Sequence, residues 1–409
     1  MQADRLRILF VAPFPPRLAG THGGAKAIAE LVFHTAARHD VALTYLRHAG
    51  EPEPEQELLE RLALAEEITR PDEPTGLAHV VRALRRRAKL AAGTPLWVSE
   101  LAAPSVTDAV ESVVDSWAPD VIRLEYPVSA ALLPATRTSA SPVVLVDYDP
   151  LLSRAEAAAT GGRRRLDRAL DRRAWKRFDR RSRQRVDAVV VLTERDRRIV
   201  VEAGGARVLE CIPLGLEPMP ALDGAGRDDT LLFVGNMNHP SNREAVGHLV
   251  EEIVPRVRAL RPQASLTIVG QRARDHSFPP PTDGVRLTDL VEDVVPYLDE
   301  AAVFLAPLRT GGGMRVKVLE ALSAGKAVVA YPNAVEGIEI EPGRHAVVAT
   351  SAAAFAEAVV SLLADRAARE RLGREARAWA LAHTGWTPVL DAYDGLYRRL
   401  VERRLASGG

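Results

Sequence analysis

Apolar residues along the chain fall into short unbroken runs, each stopped by proline or glycine and then followed by apolar positions at helical spacing. The run Ile8 to Ala12 ends at Pro13, and Gly20, Gly23 and Gly24 precede a helical pattern from Ala25 to about Arg38. Asp40 to Leu46 is the next run, so the chain opens as strand, helix, strand. Runs without alternation belong to strands covered on both faces, which is the habit of parallel sheets with helical crossovers. The same reading predicts strands at 119–125, 142–147, 187–193 and 208–213, and helices over 244–260, 351–364, 366–383 and 390–400. A second series of strands is predicted at 230–235, 264–269, 285–287, 301–306 and 327–330. The acidic, proline-bearing stretch 50–75 reads as a helix with surface loops.

The pattern restarts after a segment rich in proline and glycine, with Pro218, Pro220, Gly224 and Gly226. The expected organisation is therefore a first α/β domain over 1–212, a linker over 213–229, a second α/β domain over 230–385 and a final helix over 386–409. The length of 409 residues and the apolar content of 47% suit two cores.

Charge changes this picture only locally. Lys plus Arg and Asp plus Glu are both 54, so the whole chain recommends neither a nucleic acid nor an acidic partner. Two helical stretches are basic. One holds Arg82, Arg85, Arg86, Arg87 and Lys89; the other, Arg163 to Arg185, carries 11 Arg and Lys176 against Asp167, Asp171 and Asp179. They read as solvated faces laced with i,i+4 pairs, or as a contact with an anionic membrane surface or a phosphate-bearing acceptor. The single Cys211 excludes an intrachain disulfide and reads as a small buried apolar residue. No run is long enough for a membrane span, and the expected setting is the cytoplasm of a bacterium of high GC content, with peripheral contact at the inner membrane face as the alternative for the basic helices.

The chemistry gathers at one stretch. Ala301 to Ala306 is followed by Pro307, Gly311, Gly312, Gly313 and Met314, and then by a helical pattern through Val316, Leu319 and Leu322 that stops at Gly325. Backbone amides at such a helix start favour an anion. Arg315 and Lys317 lie in its first turns, where cations are disfavoured unless an anion joins them. Glu320 follows with a carboxylate able to accept two hydroxyl hydrogen bonds. Phosphates together with a diol describe a sugar nucleotide. Lys326, after the helix, reads as a surface residue. In the first domain Asp147, Tyr148 and Asp149 spell Asp-x-Asp, which serves either as a metal-holding pair or as a polar loop lining a cleft; the loop reading is taken and no metal is expected.

Gly23-Gly24, Val234-Gly235-Asn236-Met237-Asn238, Ala306-Pro307-Leu308 with Gly311 to Gly313, Lys317-Val318-Leu319-Glu320-Ala321, Gly325 to Val329, Glu336-Gly337 and Trp386 together resemble the GT-B glycosyltransferases, and within them family 4, the retaining group. The resemblance implies two Rossmann-like domains facing a central cleft, with the last helix returning to the first domain. It implies a nucleotide-sugar donor, UDP- or GDP-linked, no cofactor, and an acceptor that is a glycan, a lipid-linked molecule or a small molecule. In that family a Glu-x7-Glu motif binds donor sugar and ribose. Glu320 matches the second glutamate, and Gly312 stands where the first would be.

The family's diphosphate-binding Arg and Lys follow the Val-Gly strand end, where this chain has Asn236 and Asn242; Arg315 and Lys317 are expected to supply that charge as the catalytic cations. The resemblance also places Gly235, Asn236, Asn238, Gly311, Gly312, Gly313, Met314 and Glu320 on the donor, and Val291, in the loop Asp289 to Asp293, near the base. Gly23, Gly24, Tyr148 and Asp149 form the acceptor-side loops, with Tyr148 where the family often has His. Relatives that act otherwise, a sugar-nucleotide epimerase or a binding protein without catalysis, share the fold.

Overall fold

The computed structural model describes residues 5–18, 23–69, 76–101, 103–136, 140–148, 150, 165–222, 226–271, 283–310 and 315–407. Gly311 to Met314 and Asp149 lie outside the described residues, as do Arg163 and Arg164. The chain divides into two compact units, Met1–Gly215 with Val389–Gly409, and Leu216–Pro388.

The first unit contains a seven-stranded sheet whose strands are β1 (Arg7–Ala12), β2 (Asp40–Arg47), β3 (Leu64–Thr69), β4 (Val121–Glu125), β5 (Val143–Asp147), β6 (Ala188–Val191) and β7 (Leu209–Cys211). Their spatial order is β3-β2-β1-β4-β5-β6-β7, every neighbouring pair parallel. The central strands are buried throughout, which is why they read as continuous apolar runs. β3 corrects the reading of 50–75: on this edge strand Glu66 is exposed and Glu67 is half-buried on Arg47 of β2 at 2.7 Å, and such charges blunt an edge while breaking up its apolar run.

Residues from Val389 on pack within this first unit. Tyr393 and Tyr397, on the helix Trp386–Ser407, are buried against the fully buried Arg123 of β4. The Arg123 guanidinium donates to Glu125 Oε1 at 2.7 Å and to the Tyr397 hydroxyl, and stands 4.3 Å from the Tyr393 ring centroid. Asp394 accepts from Arg38 at 3.0 Å and pairs with His39 at 2.8 Å. Arg38 and His39 together hold the Asp394 carboxyl below its usual range despite its partial burial.

The second unit contains β8 (Arg227–Val234), β9 (Ser265–Val269), β10 (Val285–Leu287), β11 (Ala301–Ala306), β12 (Ala327–Ala330) and β13 (Val347–Val348), ordered β10-β9-β8-β11-β12-β13, again all parallel. β8 begins inside the segment read as linker. Its entry turn needs Gly226, whose φ is +58° and where a Cβ would fall 2.1 Å from the Ala301 carbonyl oxygen. The helix expected from Glu244 starts earlier, at Pro240, because proline suits a first helical position. It passes through a π turn at Leu249–Ile253 into Val254–Leu260.

Candidate functional site

Open parallel sheets place ligands beyond the carboxyl ends of their strands. In the second unit β8, β9 and β11 deliver their ends to one corner. β8 leads into Gly235, whose amide donates to the Val269 carbonyl at 2.8 Å, while Met237 donates to the Gln271 carbonyl at 3.0 Å. The Asn236 side chain donates to Gln271 Oε1 at 3.0 Å and accepts from the Asn238 amide at 2.9 Å. Two glycines allow this closeness. At Gly270, with φ +145°, a Cβ would sit 2.0 Å from the Gly235 carbonyl oxygen. At Gly235 a Cβ would come 2.9 Å from Asn242 Cγ and 3.0 Å from Lys317 Nζ.

The last contact shows what the corner holds. Lys317 lies in the first turn of the helix Val316–Ser323, and its ammonium donates to Asn242 Oδ1 at 2.6 Å and stands 4.9 Å from the Phe233 ring centroid. Asn242 is anchored in turn, its Nδ2 donating to the Asn236 carbonyl at 2.7 Å. Withdrawal from water and the neighbouring Arg315 push the Lys317 pKa down to about 7, against the pull of Glu320. His239, at the entry to the Pro240–His248 helix, is pushed below its ordinary value by desolvation and by Lys317 and Arg243. The corner thus gathers cationic groups around a lysine whose ammonium is held by the neutral amide of Asn242.

Arg315 is the N-cap of the helix, and its carbonyl accepts from Val318 and Leu319. Its buried side chain donates to the Asn333 carbonyl at 3.3 Å, and Asn333 donates to the Thr310 carbonyl at 3.2 Å, so both sides of the segment 311–314 are fixed. The helix closes as expected: Gly325, at φ +78°, donates to the Leu322 carbonyl and Lys326 to that of Ala321. Glu320 lies one turn after Lys317 and is partly buried. Val291 is partly buried against the core in the loop that follows β10. Lys326 is not a surface residue: it is fully buried, and its ammonium finds a partner inside the fold by donating to the Asp299 carbonyl at 3.3 Å.

Residues 235, 236, 238, 315, 317 and 320 are therefore gathered at one corner of the second unit, while 311–314 lie outside the described residues. Sequence reading met Asn242 only as a neutral residue where the family has a cation, and did not place it among the donor-site residues. Its signal was Pro240, which marks a helix start and puts Asn242 in the first turn, facing the strand end.

In the first unit, Gly23 and Gly24 open the helix Gly23–Ala36, with open space where a Cβ on Gly23 would stand. Tyr148 is buried at the end of β5 and donates to Glu125 Oε2 at 2.8 Å, so its hydroxyl is turned inward. Its ring stacks on Tyr126 at 4.6 Å between centroids. Asp147 is buried and accepts from Arg183 at 2.7 Å, which commits one half of the Asp-x-Asp string to an ion pair.

Residues 228–365, which span this corner, match the model of the family described as glycosyl transferases group 1. No curated protein matches the chain by sequence. Among solved structures, a sucrose-phosphate synthase from Thermosynechococcus elongatus is similar with a TM-score of 0.68 at 17% identity, covering 98% of this chain and 100% of that one. HepE of Anabaena, solved with UDP, is similar at 0.65 and 14% identity over 96% of this chain and 100% of that one. A putative UDP-N-acetylglucosamine 2-epimerase from Listeria monocytogenes is similar at 0.52 and 13% identity, over 93% of each chain. The chain has the α/β fold of the GT-B glycosyltransferases, with two Rossmann-like parallel-sheet domains.

Proposed function

We propose that the protein is a retaining, metal-independent glycosyltransferase of family 4 that moves a sugar from a nucleoside diphosphate to a hydroxyl of a non-protein acceptor. The observation that carries this reading is the Lys317 corner. An ammonium withdrawn from water, held by a neutral amide beside a helix start and a glycine run, is a place prepared for an anion. The match of 228–365 to glycosyl transferases group 1 supports sugar transfer, and the likeness to HepE solved with UDP supports a uridine nucleotide.

In the reaction, the bond between the anomeric carbon and the leaving phosphate oxygen breaks while a bond to the acceptor oxygen forms on the same face. The acceptor proton passes to the leaving phosphate. Negative charge grows on that phosphate, and Lys317 and Arg315 stabilise it there, which is the part a divalent ion plays in other transferases. Glu320 accepts from the ribose hydroxyls. The segment 311–314 offers backbone amides to the phosphates, Gly235, Asn236 and Asn238 border the donor, and Val291 borders the base. Gly23, Gly24, Tyr148 and Asp149 belong to the acceptor side.

Calorimetric titration of the protein with UDP, GDP, ADP and dTDP, with and without chelator, tests the reading. Binding of one nucleotide that survives the chelator and is lost in Lys317→Ala supports it; no binding to any of them overturns it. A second reading, a sugar-nucleotide-binding protein without transfer, is favoured by Gly312 at the position of the family's first glutamate. Nucleotide binding with neither release of the sugar nor transfer to any acceptor hydroxyl would favour it.

A further inference from the structure

The most uniform surface of the described residues lies in the first unit. On the helix Arg165–Arg185, Arg172, Arg173, Lys176, Arg177, Arg180 and Arg181 are all exposed, whereas Asp171 and Asp179 are buried. Asp171 accepts from the Leu96 amide at 3.1 Å. Both carboxylates turn inward, so the charged side chains exposed between Arg172 and Arg181 are all cations. The helix Gly76–Ala91 packs beside it and contains no acidic residue.

Large apolar side chains stand out of these two neighbouring helices. Val81 is 46% exposed, Leu84 60% and Leu170 37%. Arg180 lies 3.4 Å from where a Cβ on Gly204 would be, just past the helix Glu194–Glu202, which carries Val201 at 58% exposure. Four of the eight exposed large hydrophobics among the described residues therefore sit on or beside this one basic helix. A solvated salt-bridged face needs none of them. A phosphate-bearing polymer calls for cations and exposed aromatic rings, yet Trp175 on this helix is buried. Aliphatic side chains among arginines and lysines fit an interface of headgroup phosphates over hydrocarbon.

We propose that this face docks the protein on an anionic lipid leaflet, with Val81, Leu84 and Leu170 entering the headgroup boundary and the cations lying at the lipid phosphates. The proposal stands apart from the glycosyltransferase reading.

The test is flotation of the full chain with vesicles of phosphatidylcholine containing about 30% phosphatidylglycerol, in about 0.1 M salt, where surface charge still acts over roughly 10 Å. Each cation near the surface contributes about fivefold to partitioning, so the triple variant R172E/R173E/K176E should bind at least about 100-fold more weakly. Leu84→Ser should lose about tenfold. Both change exposed side chains, and circular dichroism with an unchanged thermal unfolding midpoint checks that the fold is intact. Binding to the anionic vesicles, none to pure phosphatidylcholine, and both losses would support the proposal. Absence of binding would overturn it. So would binding that is indifferent to Leu84→Ser and displaced by single-stranded RNA, which would assign the face to a polyanion instead.

Discussion

Nucleotide binding at the Lys317 corner should draw a proton from solution. In the free site the Lys317 pKa is about 7, set by withdrawal from water and by Arg315. A diphosphate beside the ammonium reverses that balance and returns the pKa toward the ordinary lysine value near 10.4. At pH 8 about one lysine in eleven is protonated in the free protein, so binding takes up about 0.9 proton. From pH 7 to pH 9 the protonated fraction falls from about one half to about one hundredth, and the affinity should fall about fiftyfold. The nucleotide does not confuse the measurement, since a terminal phosphate with a second pKa near 6 is already ionised in this window. Nor does His239, whose pKa is pushed below its ordinary value.

Calorimetry of UDP binding at pH 8, in two buffers of different ionisation enthalpy, gives the proton count directly. Lys317→Arg keeps its charge throughout the range and should flatten the pH profile. A proton uptake below about 0.2 at pH 8, or an equal pH dependence in Lys317→Arg, would refute the reasoning. The stability of the free protein moves the opposite way. The folded pKa lies below the unfolded one, so the unfolded chain binds more protons between pH 7 and about 10, and the lysine's penalty fades as pH rises through that window.

Other outcomes follow from the same contacts. Asn242→Leu removes the hydrogen-bond partner of the ammonium and should lower the Lys317 pKa further, shifting the pH midpoint of UDP affinity downward; an unchanged midpoint would mean that Asn242 does not set it. Glu320→Ala should weaken UDP by about 1.5–3 kcal/mol through lost ribose hydrogen bonds, while leaving the affinity for inorganic pyrophosphate unchanged. Gly270→Ala forces a Cβ to 2.0 Å from the Gly235 carbonyl oxygen, and about 2–4 kcal/mol should be lost in denaturant unfolding followed by a probe in the second unit.

The central strands of both sheets were legible because burial on two faces leaves its mark as uninterrupted apolar runs, such as Ala301 to Ala306. Edge strand β3 was not, since Glu66 and Glu67 interrupt its apolar run, and the partner of Glu67, Arg47, lies on another strand. At the candidate site, the lysine and the helix start could be read from neighbours in sequence. The partner of that lysine could not: Asn242 is 75 residues away, and only the meeting of two strand ends brings it there. Lys326 and Asp171 failed in the opposite direction, being charged residues that local pattern assigns to water and that distant backbone groups, Asp299 O and Leu96 N, draw inside.

The packing of Tyr393 and Tyr397 onto Arg123 also orders events during synthesis. The second unit is one continuous stretch, Leu216–Pro388, and all its strands can pair as soon as that stretch has left the ribosome. The first unit, although made earlier, waits for Val389 onward before its buried guanidinium finds the Tyr397 hydroxyl and the Tyr393 ring. Until then a charge destined for the core of β4 is met by Glu125 and the Phe10 ring without the two tyrosines, and must keep water beside it. The half of the protein translated first is thus the half completed last, and a nascent chain stalled before residue 389 would carry a finished second unit behind an unfinished first one.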